Sequence, residues 1–160
     1  MATLTLSDVG VDLTELAMQM ELDPVHGRDK EVKSTLRTLV RRRKNNPCLM
    51  GGPEVGKTAI AKGVAQIIAA PNILERLDKL FDQNEDGEFV KQEQVNRLDF
   101  LAEQCLTRLR NHRIILLELA NLVAVMKHRG EFEERLHAII EEVTDEKAPP
   151  TILFIDGEFI

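Results

Sequence analysis

Gly51-Gly52-Pro53-Glu54-Val55-Gly56-Lys57-Thr58 is the stretch on which the rest of the chain turns. It fits G-x-x-x-x-G-K-[ST], and it lies between a predicted strand, Cys48-Leu49-Met50, and a predicted helix from Lys57 to about Ala69. Glycines at this spacing let backbone N–H groups turn inward around an anion, and the helix that follows adds the partial positive charge of its N-terminus. Lys57 is expected to reach the β- and γ-phosphates of a nucleotide, and the Thr58 hydroxyl to ligate Mg²⁺. The candidate nucleotide-binding residues are Gly51, Gly52, Pro53, Glu54, Val55, Gly56, Lys57, Thr58 and Ala59. A chance match occurs roughly once in a few hundred chains of this length. A plain glycine turn is the alternative.

Outward from this loop, the apolar pattern alternates between helix and strand. Val32, Leu36, Leu39 and Val40 recur at helical spacing and predict a helix from Asp29 to Arg43, broken by Asn45-Asn46-Pro47. The helix after the loop carries Ile60, Val64, Ile67 and Ile68, and Pro71 punctuates its end. Arg113 to Leu119 is a compact apolar run suited to a buried strand. A helix from Glu131 to Val143 would bury Phe132, Leu136, Ile139 and Ile140, and Pro149-Pro150 introduces a last strand, Thr151 to Asp156. The first eight residues read as a loose terminus. Helices alternating with short apolar strands define an α/β fold. An apolar strand ending in Asp is the usual second half of a phosphate-loop site, so Asp156 is expected to hold the Mg²⁺ shell. Alone that signal is weak, because many buried strands end in an acid.

Composition sets outer limits. The chain has 160 residues, 43% hydrophobic and 30% charged, which fits one globular domain or one domain with an insertion. Net charge is −6 and there is no Trp or Tyr, so general nucleic-acid binding is not expected. The one basic cluster, Arg41-Arg42-Arg43-Lys44, reads first as the cationic end of a helix and second as a nucleic-acid contact. No apolar run is long enough to span a membrane, and no signal or transit peptide is visible. Cys48 and Cys105 lie far apart, which favours a reducing compartment, cytoplasm or organelle interior.

Between about residues 72 and 110 lies a second pattern. Asp82-Gln83-Asn84-Glu85-Asp86-Gly87-Glu88-Phe89-Val90-Lys91-Gln92-Glu93 fits the EF-hand loop D-x-[DN]-x-[DN]-G-x₅-E at every fixed position. Leu74, Leu77, Leu80 and Phe81 line a predicted helix before it, and Val95, Leu98, Ala102, Cys105 and Leu109 line one after it. Ca²⁺ takes six to eight oxygen ligands. Asp82, Asn84 and Asp86 would supply side-chain oxygens, Glu88 its carbonyl, and Glu93 both carboxylate oxygens. A solvated acidic loop between two helices is the alternative. EF-hands usually pair, and only one is visible, so self-association through it or weak Ca²⁺ binding is expected.

Several segments together resemble the first nucleotide-binding domain of the Clp ATPases, the ClpB/ClpC-like AAA+ unfoldases. They are Gly10-Val11-Asp12-Leu13-Thr14-Glu15-Leu16-Ala17, Leu22-Asp23-Pro24-Val25-His26-Gly27-Arg28-Asp29, Lys44-Asn45-Asn46-Pro47, Gly56-Lys57-Thr58-Ala59-Ile60-Ala61, Arg129-Gly130-Glu131-Phe132-Glu133-Glu134-Arg135-Leu136 and Ile152-Leu153-Phe154-Ile155-Asp156. The resemblance implies an incomplete P-loop AAA+ three-layer sandwich over residues 9–70 and 113–160, with residues 72–110 as an inserted EF-hand helix–loop–helix. It further implies an ATP-driven chaperone that binds ATP or ADP with Mg²⁺ and threads unfolded polypeptide through a hexameric pore. By the same resemblance, the stretch Asp23 to Arg28 contacts adenine, with Val25 and His26 as its candidate residues, and Lys127-His128-Arg129-Gly130 lines the pore.

The chain departs from that pattern at positions the family uses. Glu54 replaces a glycine, so a positive φ there would cost roughly 1–2 kcal/mol, and its carboxylate would repel the phosphates. His128 replaces the pore tyrosine, and His26 replaces an aliphatic residue. Gly157 stands where the family has the glutamate that orients the attacking water. Glu158 is the nearest carboxylate, but strand alternation turns it away unless a bulge intervenes. Asp156 and Glu158 are therefore the catalytic candidates. The sequence stops at Ile160, before any counterpart of the family's sensor, arginine finger or lid, so the resemblance to an ATP hydrolase comes with an expectation of weak or absent hydrolysis. Two alternatives stand beside it: a calcium-responsive module on an AAA+ remnant, and an inactive truncated product.

Overall fold

The computed structural model describes residues 6–50, 56–70, 104, 107–124 and 129–156. The chain divides into two units, Met1–Leu13 with His112–Ile160, and Thr14–Asn111.

The first unit is built on a three-stranded sheet in the order β1 (Gly10–Asp12), β2 (Arg113–Glu118), β3 (Thr151–Asp156). Central β2 reads Arg-Ile-Ile-Leu-Leu-Glu, and its four apolar residues are all buried, as expected of a strand covered on both faces. β1 pairs with it antiparallel, Gly10 opposite Leu117 and Asp12 opposite Ile115. β3 pairs with it parallel, from Arg113 opposite Thr151 to Glu118 opposite Asp156. A parallel pair needs a crossover. Here it runs through two helices, α5 (Leu119–Ala124) and α6 (Arg129–Thr144). The register is pinned at its start: the Arg113 amide donates to the Pro150 carbonyl at 2.9 Å, and Arg113 Nε donates to Thr151 Oγ1 at 2.7 Å.

One face of the sheet carries the core. Ile115 and Leu117 meet Leu6, Leu119, Leu122 and Ile139, with Phe132, Leu136, Val143 and Leu153 packed around them. The sequence expects Ile140 on the buried face of α6; the structure exposes it to 45% and buries Val143 more instead. At 100° per residue, Ile140 points about 70° away from the mean direction of Phe132, Leu136, Ile139 and Val143. The supposed loose terminus is likewise ordered from Leu6. Leu6–Val9 form α1, with Leu6 buried in this core and its amide donating to Glu142 Oε2 on α6 at 2.8 Å. That carboxylate satisfies one of the orphan N–H groups that every helix start exposes.

Gly10 sits where nothing larger fits. A Cβ there would stand 2.5 Å from Ile115 Cγ2 and 2.9 Å from the Leu6 carbonyl oxygen. The carbonyl belongs to the backbone and cannot rotate away. Gly10→Ala is expected to destabilise the fold by about 1–3 kcal/mol, the usual cost of overpacking. An unchanged urea midpoint would show that β1 does not cross β2 this closely.

The second unit contains most of α2 (Leu13–Met18), then α3 (Asp29–Leu39) and α4 (Lys57–Ile68). Val32 and Leu36 of α3 are buried, as are Ile60, Ala61, Val64, Ala65 and Ile68 of α4. The two helices approach at Gly63, where a Cβ would lie 3.0 Å from Val32 Cγ2. α3 ends four residues earlier than its periodicity predicts. Val40 closes it, and Arg108 Nη1 from the helical residues 107–109 donates to the Val40 carbonyl at 2.8 Å. The predicted strand Cys48-Leu49-Met50 is not one: these residues carry no strand and pair with none among the described residues. β propensity makes a strand only where a neighbour offers a ladder. The EF-hand residues Asp82, Asn84, Asp86, Glu88 and Glu93, together with Gly51 to Val55, His128 and Glu158, lie outside the described residues.

Candidate nucleotide-binding site

The site begins at the N-terminus of α4. Gly56 is its N-cap, with φ +87° and ψ 29°, in the left-handed region that favours glycine. It offers no side-chain acceptor to the first-turn amides, and that turn contains no acid. Lys57, Thr58 and Ala59 occupy the turn and are half-buried. A helix start with no N-cap side-chain bond, the positive end of the macrodipole and a lysine in the same turn suit a phosphate group and disfavour a cation.

A second segment is fastened along the same helix. Gln66 Nε2 donates to the Asp23 carbonyl at 2.8 Å and to the Leu22 carbonyl at 3.4 Å. Val25 Cγ1 lies 3.6 Å from where a Gly63 Cβ would stand, and Arg28 Nη2 lies 2.8 Å from the corresponding point on Gly56. Residues 22–28 therefore run antiparallel to α4. Gly27, at φ +71°, makes the one bend that β-carbon sterics would resist. The structure thus brings the predicted adenine-side residue Val25 onto the helix that opens with Lys57 and Thr58. His26 is exposed.

Arg28 closes the stretch expected to contact adenine, whereas Gln66 was not legible as functional from the sequence. Neither belongs to the glycine-rich pattern, and the contacts that give them a role span 28 and 43 residues along the chain. Arg28 also pairs with Glu31 at 3.6 Å on the surface, a contact worth little by itself.

In the other unit, Asp156 is the last residue of β3, and the parallel register sets Glu118 directly beside it at the end of β2. Register partners share a face, so the two carboxylates stand together at the C-terminal ends of parallel strands, where ligands of α/β sheets are held. Glu118 is a residue the sequence reading passed over. Its signal was present: Ile114 to Glu118 is an apolar strand ending in an acid, as Ile152 to Asp156 is. Among the described residues, no group of three or more His, Cys, Asp or Glu is arranged to hold a metal ion. Also among these residues, no helix is long and apolar enough to cross a membrane.

Residues 47–157 match the AAA family, the ATPase family associated with various cellular activities. The chain belongs to that family. Among curated relatives it is 43% identical over 152 residues to the chaperone protein ClpB 2 of Synechocystis, covering 95% of this chain and 14% of that protein. It is 42% identical over 151 residues to the chloroplastic chaperone protein ClpB2 of Oryza sativa, covering 94% and 12%. Among solved structures, the S. cerevisiae Hsp104–ADP complex superposes with a TM-score of 0.64 at 37% identity, covering 95% of this chain and 21% of that one. Hsp104 has also been solved in complex with casein, in an extended conformation that superposes with a TM-score of 0.59. These similarities support a Clp-type AAA+ nucleotide-binding domain with an α/β fold. The chain spans about one seventh of the length of the curated relatives it matches.

Proposed function

We propose that this chain binds Mg·ATP or Mg·ADP as the nucleotide-binding part of a Clp-type chaperone that acts on unfolded polypeptide. The observation that carries this reading is the opening of α4, where left-handed Gly56 starts a helix without a side-chain cap and is followed by Lys57 and Thr58. Lys57 would hold the β- and γ-phosphates and Thr58 a magnesium ion, with Gly51 to Val55 wrapping the phosphates. Asp156 is the chain's own carboxylate for the Mg²⁺ shell, and Val25 and His26 are its candidates for the adenine side. The bound nucleotide would supply the free energy of phosphate transfer. Gly157 stands where the family places its water-orienting glutamate, so turnover is proposed to be weak or absent while binding persists. The relatives' names and the Hsp104–casein complex support chaperone work on polypeptide; the ring, with residues 127–130 facing the substrate, is part of the proposal.

The experiment is a thermal-shift and calorimetric titration of the full chain with Mg·ADP and Mg·ATP. Ligand that binds only the folded state should raise the melting temperature with concentration. Absence of any shift or heat at millimolar nucleotide would end this reading.

A second proposal concerns residues 72–110, read as an inserted EF-hand with Asp82, Asn84, Asp86, Glu88 and Glu93 as Ca²⁺ ligands, able to self-associate through that segment. What supports it is the fit of Asp82 to Glu93 to the loop pattern at every fixed position. Ca²⁺ is expected to raise thermal stability, and Glu93→Gln, which removes the bidentate carboxylate, to cancel the rise. A rise that survives Glu93→Gln would place the ion elsewhere.

A further inference from the structure

Residues 22–28 hold their place on α4 without any regular structure of their own. The segment pairs with no strand, and Pro24 brings no N–H. Leu22, Val25 and Arg28 are half-buried while the residues between them are exposed. That period of three belongs to an extended, polyproline-like backbone, which has no internal hydrogen bonds. Such a segment stays ordered only if something outside it supplies the contacts.

Its two ends are supplied by neighbouring helices. Arg28 is the N-cap of α3, its carbonyl accepts the Val32 amide at 2.9 Å, and Val32 meets α4 at Gly63. At the other end, the Glu21 amide donates to the Leu16 carbonyl of α2 at 2.9 Å. Between these ends one side chain does the fastening. Gln66 Nε2 donates to the Asp23 carbonyl at 2.8 Å and, more weakly, to the Leu22 carbonyl at 3.4 Å. Among the described residues, no other hydrogen bond reaches residues 22–27. The backbone of Val25, His26 and Gly27 is thereby held in place with its own polar groups open to a ligand.

Gln66 lies nine residues beyond Lys57 on the same helix, a rise of about 14 Å. A glutamine side chain does not reach back over that distance to a phosphate at the first turn. Any effect of Gln66 on a nucleotide must therefore pass through the segment it fastens.

We propose that Gln66 is a positioning residue for the base: it orders residues 22–28 in advance, so that Val25 and His26 meet the adenine side of a bound nucleotide. A segment ordered beforehand spares the ligand the cost of ordering it. The inference rests on the nucleotide reading above and adds to it the residue through which the chain prefers a nucleotide to a bare polyphosphate.

Calorimetric titration of the full chain with Mg·ADP and with Mg·pyrophosphate tests it. Gln66→Met keeps the length of the side chain and removes the donor; Gln66→Lys returns a donor. In Gln66→Met, affinity for ADP should fall about five- to tenfold and affinity for pyrophosphate should stay within about twofold. Gln66→Lys should recover most of the lost ADP affinity, and urea denaturation should show both variants folded. Lys57→Ala, in contrast, should weaken both ligands. An unchanged ADP affinity in Gln66→Met, an equal loss of both ligands, a Gln66→Lys as weak as Gln66→Met, or an unfolded Gln66→Met would each overturn this role while leaving the nucleotide reading in place. An unaltered chain that binds neither ligand would overturn the nucleotide reading, and this inference with it.

Discussion

Lys57→Ala is expected to abolish measurable nucleotide binding while leaving the fold intact. Lys57 is the first residue of α4 and the one side chain of its opening turn that brings a full positive charge. A charge-assisted hydrogen bond to phosphate is worth about 1.5–3 kcal/mol, and a lysine spanning two phosphates makes two of them. Loss of only one such bond weakens affinity roughly tenfold to a hundredfold, and loss of both puts binding beyond ordinary titration. The fold should survive, because the side chain is half-buried and alanine is a better helix former than lysine. Calorimetry with Mg·ADP reads the first effect and urea denaturation the second. A dissociation constant within threefold of the unaltered chain would remove Lys57, and with it the phosphate-loop assignment, from the mechanism.

Leu117→Ala is expected to cost about 2–5 kcal/mol of folding stability, the range for emptying a fully enclosed leucine. Leu117 has 0% exposure on the central strand, and Leu122 and Ile139 in its cluster are equally enclosed. A strand flanked on both sides cannot shift to fill the space without moving its ladder partners Gly10 and Ile155. Set against total stabilities of about 5–15 kcal/mol, this is a large fraction. Urea denaturation followed by circular dichroism measures it. A loss below about 1 kcal/mol would mean the site collapses freely, contrary to the packing described.

Local patterns carried much of this structure, and their limits share one cause. β3 was legible to the residue and β2 to within one, because Pro149-Pro150 and the apolar runs state their own ends. α4 was legible because the glycine-rich loop fixes where a helix must begin. α3 was overextended because Arg41 to Arg43 are good helix formers, and nothing nearby announces that Arg108 will close the helix at Val40. α1 escaped notice because its first amide is held by Glu142, 136 residues away. α5 was hidden because Leu119–Ala124 continues an apolar run without a breaker. Spacing alone predicts where Lys57, Thr58 and Asp156 sit at the ends of α4 and β3, whereas the contacts of Gln66 and the pairing of Glu118 beside Asp156 join distant segments.

The pairing of β1 with β2 joins Gly10 to Leu117, residues separated by 117 − 10 = 107 positions. The intervening unit, Thr14–Asn111, is one continuous stretch. At about 5–20 residues per second, synthesis takes some 5–20 seconds to run from β1 to its partner, and that stretch is made whole within the interval. The order of assembly is thereby imposed on the polypeptide. The helices that carry the phosphate-binding turn can settle first, and the opening strand of the chain waits, unpartnered, for the sheet it belongs to. A chaperone stationed at the ribosome would meet a finished helical unit preceded by a strand still without its partner.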